Sequence, residues 1–98
     1  MANCLLLWRL DWARVPMDPK ARAAGWSALM GMVMKDMEED MAKDWGEFIG
    51  ESSGYAIAEG SEAEVSIMTQ QYSPYVHFET HPIVSVSQIE DMLKALGA

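Results

Sequence analysis

Apolar and polar residues alternate in the first segment of the chain, which is the pattern of a half-buried β-strand. In "CLLLWRLDW", every second side chain from Cys4 to Trp12 is apolar, while Arg9 and Asp11 fall on the opposite face. We therefore expect a strand over 4–12. Its core face should be dry and include Trp12, and its second face should become polar toward the end.

Helical spacing replaces this alternation in the next segment. Asp18 before Pro19 combines an N-cap acceptor with a proline at the first helical position. Apolar residues then recur every three or four positions, which predicts an amphipathic helix over about residues 18–43. The acidic run "DMEED" should lie on its solvent face. The residues expected to face the core are Trp26, Leu29, Met30, Val33, Met37 and Met41.

Two short strands are predicted next, at about 45–49 and 54–59, on either side of the turn-forming "GESSG". In the second strand, Tyr55 and Glu59 lie on one face and Ala56 on the other. Small residues on one face predict that a helix or another backbone approaches closely there.

The remainder of the chain predicts a helix, a strand and a closing helix. "SEAE" at 61–64 is a capping box, and the helix that it opens must end before Pro74. A strand follows at 75–80 or beyond, and it is expected to bend at Pro82 and continue through "IVSV". The apolar residues of the last helix are expected to face the core; they are Ile89, Met92, Leu93 and Leu96.

The order β-α-β-β-α-β with a C-terminal helix predicts one α+β domain of the ferredoxin-like type over residues 1–98. Both inner helices should pack on one face of a four-stranded antiparallel sheet. The other sheet face then has no cover within the chain. A second copy of the same sheet would cover it most simply, so we expect a homodimer.

Three stretches, "KDWGEFIG", "GYAIAEGSEAEV" and "SPYVHFETHPIVSV", resemble a small family of unknown function in the dimeric α+β-barrel superfamily. The resemblance covers about residues 26–90. The family is similar in shape to muconolactone isomerase-like and antibiotic-biosynthesis monooxygenase-like proteins. The resemblance implies a homodimer whose two sheets close into a barrel, with a cleft in each subunit between sheet and helices.

Composition excludes several classes of function. The formal charge of −8 argues against nucleic acid and anionic membranes as partners. A single cysteine, Cys4, excludes an internal disulfide and fits a reducing compartment. The N-terminus lacks the basic region of a signal peptide, and no apolar run is long enough for a membrane span. We therefore expect a cytoplasmic protein.

The stretch "YVHFETHP" carries the candidate catalytic residues His77, Glu79 and His81, which share one strand face. One interpretation is that these polar side chains only line the barrel interior or its rim and form hydrogen bonds across strands. The alternative is that a histidine acts as a proton-transfer base, with the carboxylate of Glu79 orienting it. Since His77 and His81 would stand about 13 Å apart on a strand, they cannot meet on one ion. We predict no metal site and no cofactor.

Four more polar residues are candidates for ligand binding, because the topology could bring them to the same sheet face. Arg9 is the natural partner for Glu79 or for an anionic ligand. The four residues are Arg9, Asp11, Tyr55 and Glu59.

Three functions remain open from the sequence. The first is a homodimer that binds a small aromatic or apolar molecule in a cleft between sheet and helices. The second is a cofactor-independent monooxygenase- or isomerase-like enzyme that uses His/Glu proton transfer. The third is a dimerisation or regulatory module without a ligand.

Overall fold

The computed structural model describes residues 2–98 and confirms the predicted α+β fold, with the order β-α-β-β-α-β followed by a C-terminal helix. A 3₁₀ turn separates the first strand from the first helix. The strands and helices are β1 Ala2–Leu10, α1 Pro19–Glu38, β2 Ala42–Glu47, β3 Ser53–Gly60, α2 Glu62–Gln70, β4 Val76–Ile83 and α3 Val86–Ala95.

The four strands form one antiparallel sheet in the order β2-β3-β1-β4. β1 lies inside the sheet, where Leu6 is paired with Ala56 on one side and Thr80 on the other. Because successive side chains alternate, these three residues share the inner face. Leu6 is completely buried there, which places the core against β1.

The core lies between the inner sheet face and helices α1 and α2. The even-numbered residues of β1 from Cys4 to Leu10 are buried, as the alternation predicted. Val65 and Met68 of α2 are also buried. The other buried residues packed together here are Val33, Ala56, Ala58, Tyr72 and Val76.

The inner face of β3 carries only small side chains, and this allows close approach from both sides. A Cβ atom added at Gly54 would collide with the backbone oxygen of Gly46 and come within 2.7 Å of the Trp8 ring. At the other end of the strand, a Cβ at Gly60 would lie 3.3 Å from Cβ of Glu64 in α2. The predicted close contact between this face and a helix is confirmed.

Helix α1 ends at Glu38, five residues before its predicted end. Asp40 adopts a left-handed conformation with φ of 60°. The Met41 amide donates to the Asp36 carbonyl at 2.9 Å, and the Asp40 amide donates to Met37. This is a Schellman ending, which usually has glycine at the left-handed position. The strand predicted at 45–49 accordingly begins earlier, at Ala42.

Strand β1 stops at Leu10, and the prediction that Trp12 faces the core is wrong. The Asp11 side chain accepts a hydrogen bond from the Ala13 amide at 3.1 Å and caps the 3₁₀ turn Trp12–Arg14. This turn carries the Trp12 side chain out of the strand, where it is 68% exposed.

The prediction that α3 faces the core is also wrong. Every residue from Glu79 to Ala98 is exposed, including the four apolar residues of the predicted stripe. β4 continues through Pro82 to Ile83, and α3 then projects from the rest of the chain. The described residues, including α3, measure 59 Å along their longest axis. Along residues 2–98, the helices are too short or too polar to cross a membrane.

Two glycine substitutions should change stability in opposite directions. We expect Gly54→Ala to lower the free energy of unfolding by about 2–4 kcal/mol, because the new methyl group overlaps backbone atoms. At Gly31, a Cβ would meet no described atom within 4 Å. Gly31→Ala should therefore raise the free energy of unfolding by about 0.5–1 kcal/mol, because alanine has the higher helix propensity. Urea denaturation measures both changes, and equal effects would contradict the close approach at β3.

Candidate functional site

A cleft of about 370 Å³ opens between the first half of α1 and the end of β1. We call it the helix–sheet cleft. Trp26 and Leu29 of α1 form one wall, and Leu10 forms the floor together with the segment after the 3₁₀ turn. Ligand sites in proteins have similar volumes and mainly apolar walls. The remaining apolar lining residues are Val15, Pro16, Gly25, Ala28, Met32 and Tyr75.

Deeper in the core, three tryptophans surround an inner cavity of about 40 Å³, which shares Leu10, Trp26 and Leu29 with the helix–sheet cleft. The Trp8 ring stacks on Trp45 with centroids 5.2 Å apart, and it meets Trp26 edge-on at 6.2 Å. The Trp8 indole donates a hydrogen bond to the Tyr55 carbonyl at 3.2 Å. The cavity wall is therefore rigid and aromatic.

A buried polar pair, Asp36 and Tyr72, lies at the far side of this inner cavity. The Tyr72 hydroxyl donates to Oδ2 of Asp36 at 2.6 Å, and both residues are only 7% exposed. The sequence pattern had placed Asp36 on the solvent face of α1, which is wrong. Its spacing of three from Val33 and seven from Leu29 puts it on the core stripe. That signal was available, but it was hidden within an acidic run.

The environment of this pair perturbs the tyrosine. Burial first, and then the hydrogen bond to Asp36, raise the pKa of Tyr72 far above its ordinary value. Asp36 also lines a groove of about 220 Å³ between α1 and α2, together with Glu64 and Met68. Its carboxylate therefore lies between the aromatic cavity and a surface groove.

Two arginines stand at the rim of the helix–sheet cleft. Nη1 of Arg22 donates to the carbonyls of Pro16 and Met17, at 3.4 and 3.2 Å, and these bonds hold the guanidinium at the start of α1. Nε of Arg14 lies 3.7 Å from Asp11. Because a guanidinium has five N–H donors, Arg22 keeps donors for the polar end of a ligand.

Of the candidate residues predicted from the sequence, Asp11 lines the helix–sheet cleft, whereas the others lie on the outer face of the sheet. Strand pairing places Arg9 between Ser53 and His77 on this face. Tyr55, Glu59, Glu79 and His81 share the same face by alternation. A proton-transfer role for the histidines would therefore need a substrate on the outer face, since the helix–sheet cleft opens on the other side.

Contacts among these outer-face residues differ from the expected ones. Glu79 pairs across the sheet with Leu7, and Arg9 makes no ion pair within residues 2–98. The expected Arg9–Glu79 contact is thus not formed. The contacts that do form join His77 to Asp11 at 3.5 Å, His81 to Glu79 at 3.5 Å and the Tyr55 hydroxyl to Asp44 at 3.0 Å.

No three metal-ligating side chains come together among the residues that the structure describes. A comparison with protein-family models finds no match to the chain, and a comparison with curated proteins finds no matching relative. The function is therefore inferred from the geometry of the clefts.

The Tyr72 pair should make stability fall at alkaline pH. Above about pH 10 the unfolded chain loses the phenol proton, whereas folded Tyr72 keeps it. The stabilisation that protonated Tyr72 contributes to folding is therefore complete below that pH. It is lost as the pH rises, on the order of 1 kcal/mol per pH unit. We expect urea denaturation between about pH 9 and pH 11 to show a shallower decline in Tyr72→Phe than in the wild type. The exposed-residue control Tyr75→Phe should keep the steeper wild-type decline, and identical slopes in all three proteins would contradict the assignment.

Proposed function

We propose that the chain is a homodimeric protein of the dimeric α+β-barrel type, and that it binds a small aromatic or apolar molecule in the helix–sheet cleft. One observation carries the proposal. The cleft is large enough for a small organic molecule, and apolar walls of α1 and β1 lead from it toward three packed tryptophans. Flat aromatic walls favour a flat apolar ligand.

The polar groups at the two ends of this region support an orientation for the ligand. Arg22 at the rim offers guanidinium donors to an anionic or polar substituent. Asp36 and Tyr72 lie beyond the tryptophans, where a hydrogen-bond donor on the buried end would meet a carboxylate. A ligand with an apolar ring and a polar group at its outer end fits this arrangement.

The outer sheet face supports the proposed dimer. Leu5 and Leu7 of β1 lie beside Ile57 and Tyr55 of β3 on this face, and together they form an apolar patch on the central strands. None of the four reaches the burial of the inner-face residues of β1. Covering this patch with a second copy would remove apolar surface from water.

Native mass spectrometry of the purified protein, compared with its denatured mass, tests both parts of the proposal. We expect a dimer that carries extra non-covalent mass, and that mass would identify the class of ligand. A dimer without bound mass would favour a dimerisation module that needs no ligand. Titration with a probe would then test the cleft.

Titration with anilinonaphthalene sulfonate, a flat aromatic probe with one anionic group, tests the cleft itself. Ala28 lines the cleft, so Ala28→Trp should fill it and weaken probe binding by about tenfold or more. Ala23 is an exposed α1 residue outside the lining, and Ala23→Trp should leave probe binding unchanged. Equal affinities of the two variants, measured by fluorescence, would rule out the cleft as the binding site.

A charge on the outer sheet face should disrupt the dimer. We expect Ile57→Asp to raise the dimer dissociation constant by about a hundredfold, because it buries an unpaired carboxylate in the interface. Ile67→Asp provides the control on α2, where the wild-type side chain is 63% exposed. Sedimentation velocity measures both. A wild-type protein that remains monomeric at micromolar concentration would refute the dimer.

A further inference from the structure

Helix α3 is amphipathic, but its apolar side has no partner within residues 2–98. Ile89, Met92, Leu93 and Leu96 follow helical spacing along one side, and each is between 37% and 76% exposed. The helix does not depend on packing for its start, because Ser85 and Gln88 form a capping box. A capped helix with an uncovered apolar stripe has the properties of a docking element.

The place where α3 leaves the sheet limits what its own chain can offer. Ile83, the last residue of β4, pairs with Asn3 at one end of β1. Only Val84 and Ser85 connect this end to α3. Arg9 lies at the opposite end of β1, about 20 Å away along the strand. The helix begins far from the Arg9 end of its own sheet.

A receiving surface of matching chemistry lies at that opposite end. We call it the outer-face groove; it measures about 340 Å³ and lies at the end of the sheet. Its lining consists of Leu7, Arg9, Phe48, Ser53, His77 and Glu79, together with Trp8, Gly54 and Phe78. Phe48 is 41% exposed there, although it is a large aromatic residue. An apolar stripe with an acidic border would match both the exposed ring and the guanidinium of Arg9.

We propose that α3 is an exchanged arm, which docks in the outer-face groove of a second copy of this chain. The inference rests on the proposed dimer and adds how the two copies are held. When two sheets face each other with antiparallel strands, the Asn3 end of one copy lies over the Arg9 end of the other. Each arm then starts beside the groove of its partner, and a two-fold axis repeats the contact.

Charge complementarity supports this occupant of the groove. Within residues 2–98, neither Arg9 nor Glu90 takes part in an ion pair. Glu90 borders the apolar stripe, one residue after Ile89 and three before Leu93, whereas Asp91 lies on the opposite side of α3. Docking the stripe against Leu7 and Phe48 brings Glu90, but not Asp91, to the side of the groove that contains Arg9.

The area is also sufficient for a stable dimer. Val84, Val86 and the four stripe residues expose roughly 500 Å², so two exchanged arms and two grooves would bury about 2,000 Å² in total, within the range of specific interfaces. A single helix that docked on an unrelated surface would bury only about half of this. The reciprocal exchange therefore accounts for the exposed arm and the exposed groove together.

A charge-reversal experiment tests the exchange. We expect Arg9→Glu and Glu90→Arg, each alone, to raise the dimer dissociation constant by about tenfold, because like charges then face each other in both contacts. Asp91→Arg is the matched control and should dimerise as the wild type does. An equimolar mixture of Arg9→Glu and Glu90→Arg chains should form a heterodimer near wild-type affinity, because both of its contacts again join opposite charges.

The outcomes separate this inference from the proposed dimer. Sedimentation velocity gives the dissociation constants, and circular dichroism verifies that each variant is folded. A monomeric wild type would refute the dimer and the exchange together. A dimeric wild type whose affinity is unchanged by Glu90→Arg, or a mixture that fails to restore dimerisation, would overturn the arm exchange alone. Rescue in the mixture would also exclude docking of α3 on its own chain, since that contact stays mispaired in each variant.

Discussion

The small side chains on the inner face of β3 are the constraint on which the rest of the structure depends. Without a Cβ at Gly54, the Trp8 ring can lie flat over the sheet and stack on Trp45. Without one at Gly60, the capped start of α2 can approach the same strand. The sheet thus supplies almost no side-chain volume along β3, and large aromatic rings from the neighbouring strands fill the layer instead. The tryptophan wall of the inner cavity follows from this division of volume.

This packing separates two chemically different surfaces on one sheet. The inner face meets α1 and α2, and the core between them contains the buried Asp36–Tyr72 pair, which is joined by its own hydrogen bond. The outer face combines an apolar centre around Leu5 and Ile57 with charged groups toward its ends. A ligand in the helix–sheet cleft and a partner chain on the outer face can therefore be bound at the same time, because they lie on opposite sides of the sheet.

Periodicity was sufficient to predict the order of the elements and most of the core, because alternation on β1 and helical spacing on α1 reflect burial directly. It failed where one backbone conformation decided the outcome. The left-handed Asp40 ends α1 without the glycine that would have signalled it. The site was harder to predict, since Asp36 looks like a surface acid until Tyr72, thirty-six positions later, is placed beside it. The spacing of Asp36 from Leu29 and Val33 indicates the core side of α1, but the partner of its carboxylate depends on the tertiary fold.

The exposed arm shows that a hydrophobic pattern can predict an amphipathic helix correctly, while the prediction of where its apolar side is buried is wrong. The spacing from Ile89 to Leu96 indicates correctly that one side of α3 is apolar, but it carries no information about which chain covers that side. A domain of 98 residues can bury only a limited fraction of its apolar surface on folding. Since α1 and α2 already occupy the inner face, the remaining uncovered surfaces are α3 and the outer sheet face. Both have the apolar character that association between copies would bury, and Arg9 on the outer face and Glu90 on α3 carry charges of opposite sign.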